Sequence, residues 1–163
     1  MTAIHKALSS SLIAIQDKLL PCGGFSAVEG GDFRPDVTAW AVLALDCAHA
    51  DKNIIQRARQ RLADCQHVDG RVTLSETHPG VIWPTALGVL AWFGEPDFEQ
   101  ESNRAVQFLR STHGISSDVH NDFIGNDVSL IGWPWNEQTH SWVIPTAMSL
   151  FALKTFGHEK NGR

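Results

Sequence analysis

The sequence predicts an all-α chain of three helical hairpins, on three observations. A Thr-Ala step placed just after a proline opens an apolar run three times, at Thr38-Ala39, Thr85-Ala86 and Thr146-Ala147. A segment with one apolar stripe and one polar face precedes each of these runs. Glycine-containing turns separate the two kinds of segment. The steps lie 47 and then 61 residues apart, and a long segment before the third absorbs the excess. The repeats cover about 1–50, 51–94 and 97–157, with a polar tail at 158–163.

Ile4, Leu8, Leu12, Ile15 and Leu19 recur every three or four residues, which predicts an amphipathic helix. Leu20-Pro21 is its expected end, because a residue before proline avoids the helical region. Pro35 suits the first turn of the next helix, and Asp36 beside it favours the positive end of the helix dipole. From Val37 to Leu45 that helix is apolar all round, as in a helix enclosed by neighbours. Asp51 is the expected N-cap of a third helix. There Ile54, Ile55, Ala58, Leu62 and Cys65 form a stripe opposite a wet face that includes Arg59.

A second apolar helix is expected from Pro84 to Phe93, stopped at Gly94-Glu95-Pro96. Asp97 and Gln100 have the spacing of a capping box for the next amphipathic helix, and Gly114 is its expected stop. Residues 115–140 carry no helical period, and so long a segment is often functional. The last apolar helix is expected from about Pro145 to Phe156, stopped by Gly157.

Composition narrows the function classes. Hydrophobic residues make up 43% and charged residues 19%, an ordinary globular balance, and the net charge is −5. Lys and Arg are scattered, which argues against a nucleic-acid partner. Cys22, Cys47 and Cys65 are widely spaced and odd in number, so they are expected as buried reduced thiols. Lys6, Gln16, Asp17 and Lys18 interrupt the N-terminal region, so neither a signal peptide nor a membrane span is expected, and the default location is cytoplasmic.

The repeats resemble those of the squalene–hopene cyclase and protein prenyltransferase superfamily. Three features carry the resemblance: the glycine turns Gly23-Gly24-Phe25 and Gln66-His67-Val68-Asp69-Gly70; the phrase from Gly132-Trp133-Pro134-Trp135 to Trp142-Val143-Ile144-Pro145-Thr146-Ala147; and the Ala/Leu-rich run after each Thr-Ala. The resemblance implies an α/α toroid, of which three hairpins make about half. The chain departs from the family pattern at Phe25 and Val72, where tryptophan is usual, and at Ile144, where glutamate is common. A half toroid leaves the flanks of its first and last apolar helices uncovered, so a homodimer or docking to a larger partner is expected.

The acid-initiated members of the family resemble D-x-D-D-T-A at one helix start. Aligning Thr38-Ala39 on that ending implies Asp36 as proton donor, with Arg34 and Val37 at the outer acid positions. A proton-donating acid needs a dry site that holds it protonated. Val37 adds apolar cover, whereas Arg34 adds a positive charge that suits a carboxylate. Capping of its own helix is the competing role for Asp36.

Trp40, Trp83, Trp133, Trp135 and Trp142, with His140, are candidate residues for lining an isoprenoid or other apolar substrate. Aromatic faces could also steady a carbocation there, at about 0.5–2 kcal/mol each. Trp92, deep in its helix, reads as core. The zinc-holding Asp-x-Cys of the prenyltransferases is missing, since Asp46-Cys47 and Asp64-Cys65 are adjacent pairs. No cofactor is expected. Asp118, His120 and Asp122 alternate along the long segment and are the residual metal candidates. Two functional readings stay open: a class II terpene cyclase-like enzyme, and a non-catalytic helical-repeat module or subunit.

Overall fold

A computed structural model describes the backbone of residues 3–117 and 127–161 and the side chains of 4–117 and 127–157. Asp118, His120 and Asp122 lie outside the described residues. The architecture is all-α. Among the described residues six α-helices follow in order: α1 (Ala3–Gln16), α2 (Pro35–Cys47), α3 (Lys52–Asp64), α4 (Pro84–Trp92), α5 (Glu99–Ser111) and α6 (Val143–Asn161).

Stacking follows the apolar faces. The apolar helices α2, α4 and α6 lie side by side, with α4 in the middle. The amphipathic helices cover them: α3 packs mainly on α2 and reaches α4, while α5 packs mainly on α4 and reaches α6. Each amphipathic helix therefore makes its larger contact with the apolar helix before it and a smaller one with the apolar helix after it. α1 makes only the second kind, against α2. The core between the layers holds Val42, Leu45, Leu62, Leu87, Val89, Trp92 and Leu109.

One local device recurs in every repeat. The Phe25, Val72 and Trp133 N–H groups donate to the Oγ1 atoms of Thr38, Thr85 and Thr146, at 2.9, 3.0 and 2.9 Å. The separation is 13 residues each time. The threonine of each Thr-Ala step thus clamps the incoming turn to the first turn of the apolar helix. Gly70 lets that turn approach the next layer: its φ is +94°, and a Cβ there would overlap the Arg104 carbonyl of α5.

Several details differ from expectation. α1 stops at Gln16 because residues 18–20 pair instead with 24–26, through Leu20 N–H to Gly24 O at 2.8 Å and Ser26 N–H to Lys18 O at 3.2 Å. Asp97 caps nothing; it lies inside a 3₁₀ turn, Pro96–Phe98, that plugs Phe98 into the core. α5 ends at Ser111, before Gly114, where a side chain would strike Ser141. Gly157 does not stop α6, which continues to Asn161. A helical glycine costs only about 1 kcal/mol, which does not by itself break a packed helix.

Arg59 is buried rather than part of a wet face. Its guanidinium donates to the Ala91 carbonyl at the end of α4 and pairs with Asp46 and Glu95, at 2.7, 2.8 and 2.9 Å. Those three partners satisfy a charge that could not otherwise sit there. Cys22 and Cys47 are exposed and Cys65 is half-buried, so only Cys65 approaches the expected burial.

Candidate functional site

The first turn of α2 forms around its own salt bridge. Arg34 Nε and Nη2 donate to Asp36 Oδ1 and Oδ2, each at 2.9 Å, and Asp36 is buried. The carboxylate therefore holds a guanidinium rather than a helix N–H. Both oxygens are taken by one fork, the geometry that binds such pairs most strongly. The Arg34 carbonyl also accepts from the Thr38 hydroxyl at 2.8 Å, which ties the acid to the clamp.

The segment before α6 folds back on the entry to α4. Ile82 N–H donates to Trp135 O at 3.2 Å, and Glu137 N–H donates to Gly80 O at 2.8 Å. Arg71 Nη1 donates to Glu137 Oε1 at 2.7 Å. This brings Trp83 and Trp135 together, edge to face, with ring centroids 5.3 Å apart. Trp133 goes elsewhere: it packs against the core, and its Nε1 donates to the Leu109 carbonyl of α5 at 2.9 Å. His140 Nδ1 donates to the Ile115 carbonyl at 2.9 Å and fastens the segment to the end of the α5 loop. Trp40 on α2 and Trp142 beside α6 expose about half their surface. Trp92 is core, with Nε1 donating to the Arg59 carbonyl at 3.2 Å.

An open depression of about 540 Å³ lies elsewhere, between the 3₁₀ turn and the outer side of α5. Asp97, Glu99, Glu101 and Arg104 are among its polar lining. None of the aromatic candidates lines it.

The most continuous exposed surface lies on α6. Val143, Ile144, Ala147, Leu150 and Phe151 are all exposed, and their spacing places them on one helix face. Repeat equivalence shows what is unusual about that face. Leu150 corresponds to Val42 and Val89; those two are 0% exposed, and Leu150 is 54% exposed. Ala147 corresponds to the buried Ala39 and Ala86 and is itself exposed. The difference follows from the stacking. α2 and α4 each have both a following amphipathic helix, α3 and α5, and a following apolar helix, α4 and α6, whereas α6 has neither among the described residues. The reverse holds at the other end of the array. Trp40 is 53% exposed and its equivalent Leu87 is 0% exposed, because α4 has apolar helices on both sides and α2 on one.

Sequence reasoning placed Arg59 on a wet face and read Gln66 only as part of a turn. Gln66 Nε2 donates to Gly70 O and to Glu101 O, at 3.0 and 2.9 Å, while its Oε1 accepts from Arg104. The turn between two repeats is thus pinned to α5. Its signal was the run from Gln66 to Gly70; the partner in α5 could not be read from spacing. Among the described residues no group of His, Cys, Asp and Glu could hold a metal ion, and no helix is long and apolar enough to cross a membrane. Compared with protein-family models and with curated proteins, the chain matches none of them.

Proposed function

We propose that the chain is a non-catalytic helical-repeat module that holds an amphipathic helix along the uncovered face of α6. The observation that carries this reading is the reversal at one repeat position: Val42 and Val89 are buried, and Leu150 is exposed. Each large aliphatic or aromatic side chain left in water forgoes about 1.5–3 kcal/mol of burial. A stripe of four such residues and an alanine is an interface awaiting its cover. Asp36 supports the same reading, because both of its oxygens face Arg34 and neither is presented to a substrate.

Sedimentation velocity tests the module. Leu150→Lys/Phe151→Lys places two charges on residues that make up the exposed face, so helix content should not change. The wild-type chain is expected to associate at micromolar concentration and the variant to sediment as a monomer of 17.9 kDa. Identical sedimentation of the two would overturn the reading.

A second reading is favoured by the exposed rings of Trp40 and Trp142. In it the chain is a half α/α toroid that binds an isoprenoid or similar apolar substrate, with Asp36 as proton donor. Incubation with prenyl diphosphates and squalene-like chains, followed by mass spectrometry, tests it. Turnover that survives Asp36→Asn would remove the acid from that scheme.

A further inference from the structure

We propose that the turn between α1 and α2, where it lies on α3, is a site for a phosphoryl dianion held by Arg57 and Arg61. The inference is independent of the face of α6.

Comparison of the first two repeats exposes the site. Positions 47 residues apart are equivalent, as Thr38 and Thr85 are. Gly23, with a φ of +90°, lies against the Arg57 carbonyl, and Gly70, with a φ of +94°, lies against the Arg104 carbonyl. Arg57 and Arg104 therefore occupy the same place in the two repeats. Their surroundings differ. Arg104 donates to Gln66 Oε1 at 2.7 Å and to Glu101 Oε1 at 3.3 Å. Leu19 and Ile54 stand at the equivalents of Gln66 and Glu101. Arg57 is left with one neutral acceptor, the Pro21 carbonyl, 3.1 Å from its Nη2. The acid of the turn is missing as well: Cys22 stands at the equivalent of Asp69, whose carboxylate pairs with Arg71.

Arg61 lies one helical turn further along the same face of α3. Its guanidinium sits over the Phe33 ring, 4.1 Å from the centroid. Gly24 makes room for that stack, since a Cβ there would overlap the ring. The Arg61 Nε is buried without an acceptor, and among the described residues its two Nη atoms have none either. Asp64, three residues on, accepts from Gln60 instead. The equivalent of Arg61 in α5 is the buried Phe108, so this second charge belongs to the first repeat alone. Arg34, Arg59, Arg71 and Arg104 each have a carboxylate partner. Arg57 and Arg61 have none among the described residues, although the net charge of the chain is −5.

Two like charges on one helix face repel, and nothing in the first repeat relieves them. A phosphoryl group carries about −1.5 to −2 near neutral pH, with three acceptor oxygens, and so matches both. A carboxylate would neutralise only one. Guanidinium forks take such oxygens in pairs, and a fork already stacked on a ring loses little freedom on binding. Arg57 is exposed and Arg61 half-buried, so the notch is open to a phosphate monoester as well as to the free ion.

Calorimetric titration of the full chain with inorganic phosphate, at pH 8 and fixed ionic strength, tests the site. One phosphate per chain is expected, with a Kd on the order of 1 mM from two charge-assisted contacts. Arg57→Gln and Arg61→Gln are each expected to weaken binding by at least roughly 10-fold, with helix content unchanged. Arg110→Gln removes an exposed arginine of α5 outside the site and is expected to leave the affinity as it was. Acetate is expected to bind more weakly than phosphate. Binding of O-phosphoserine as well as phosphate would assign a monoester as the source, and binding of phosphate alone a free ion.

The absence of saturable heat from phosphate would overturn the proposal. Wild-type affinity in both the Arg57 and Arg61 variants would overturn it too, by placing the ion elsewhere. An equal loss in Arg110→Gln would do the same, by showing a response to net charge alone. Acetate bound as tightly as phosphate would overturn the phosphoryl assignment in favour of a carboxylate. Each of these outcomes leaves the α6 reading untouched, because no residue of α6 takes part.

Discussion

Cys65, at the end of α3, shows how burial sets one side chain's chemistry. Removal from water raises its thiol from an ordinary value near 9 to about 11, and the pull of Arg61 in the other direction is smaller. At pH 8 the exposed Cys22 and Cys47 should be labelled by a thiol reagent first. Cys65 should lag by about 100-fold, since each pKa unit is a tenfold loss of thiolate. The sign of the stability effect follows from the same shift. A value raised on folding favours the neutral thiol, so its contribution is complete below pH 9 and is lost as pH rises through 11. Urea titrations of wild type and Cys65→Ala at pH 8 and pH 11 should show the wild type losing more. Asp36 illustrates what was legible at this scale. Its place at the start of α2 was evident from Pro35 and Thr38. Arg34 was read as a charge suited to its carboxylate, but the two-pronged geometry was not legible, because pairing two residues apart depends on the extended backbone at Arg34, where φ is −129°.

At the scale of the helix, the Thr-Ala step marked each apolar start, and Asp51 was read correctly as a cap, accepting from Asn53 N–H at 2.8 Å. What the step does was hidden, since the bond runs back 13 residues to a turn with no fixed residue type. Thr85→Val keeps the shape and leaves the buried Val72 N–H without its acceptor. It should cost about 1–3 kcal/mol in chemical denaturation, and Thr85→Ser should recover most of that. The end of α2 was equally hard to read. His49 takes a left-handed φ of 52° so that its N–H reaches Asp46 O and the Ala50 N–H reaches Leu45 O, both at 2.9 Å. Glycine is the usual residue there. His49→Gly should therefore raise the unfolding free energy by about 0.5–1 kcal/mol, a result a helix-propensity argument alone would not give.

For the molecule as a whole, alternation of apolar and amphipathic segments was enough to predict an all-α fold; that each amphipathic helix packs chiefly on the apolar helix before it was not legible. Nor could alternation show which polar residues cross between the helices. Arg59 looked like surface because its neighbours Gln56, Arg57 and Gln60 are polar; only the meeting of α2, α3 and α4 reveals that it is buried and has three partners. Gly70 is the counterpart in the backbone. Gly70→Ala would impose both a strained φ and a collision with α5, so the thermal midpoint should fall by an amount equivalent to at least ~2 kcal/mol. A loss confined to α5, seen as unchanged protection in α2 and α3, would show that the repeats unfold separately.

The 13-residue clamps also bear on how the chain acquires its shape. Each closes a short loop, so the entropy spent before the first contact forms is small, and folding should begin within single repeats. α4 has neighbours on both sides and α1 on one, which sets a gradient along the array. In a dilute solution of separated chains, backbone amides of α4 should exchange with deuterium last and those of α1 first.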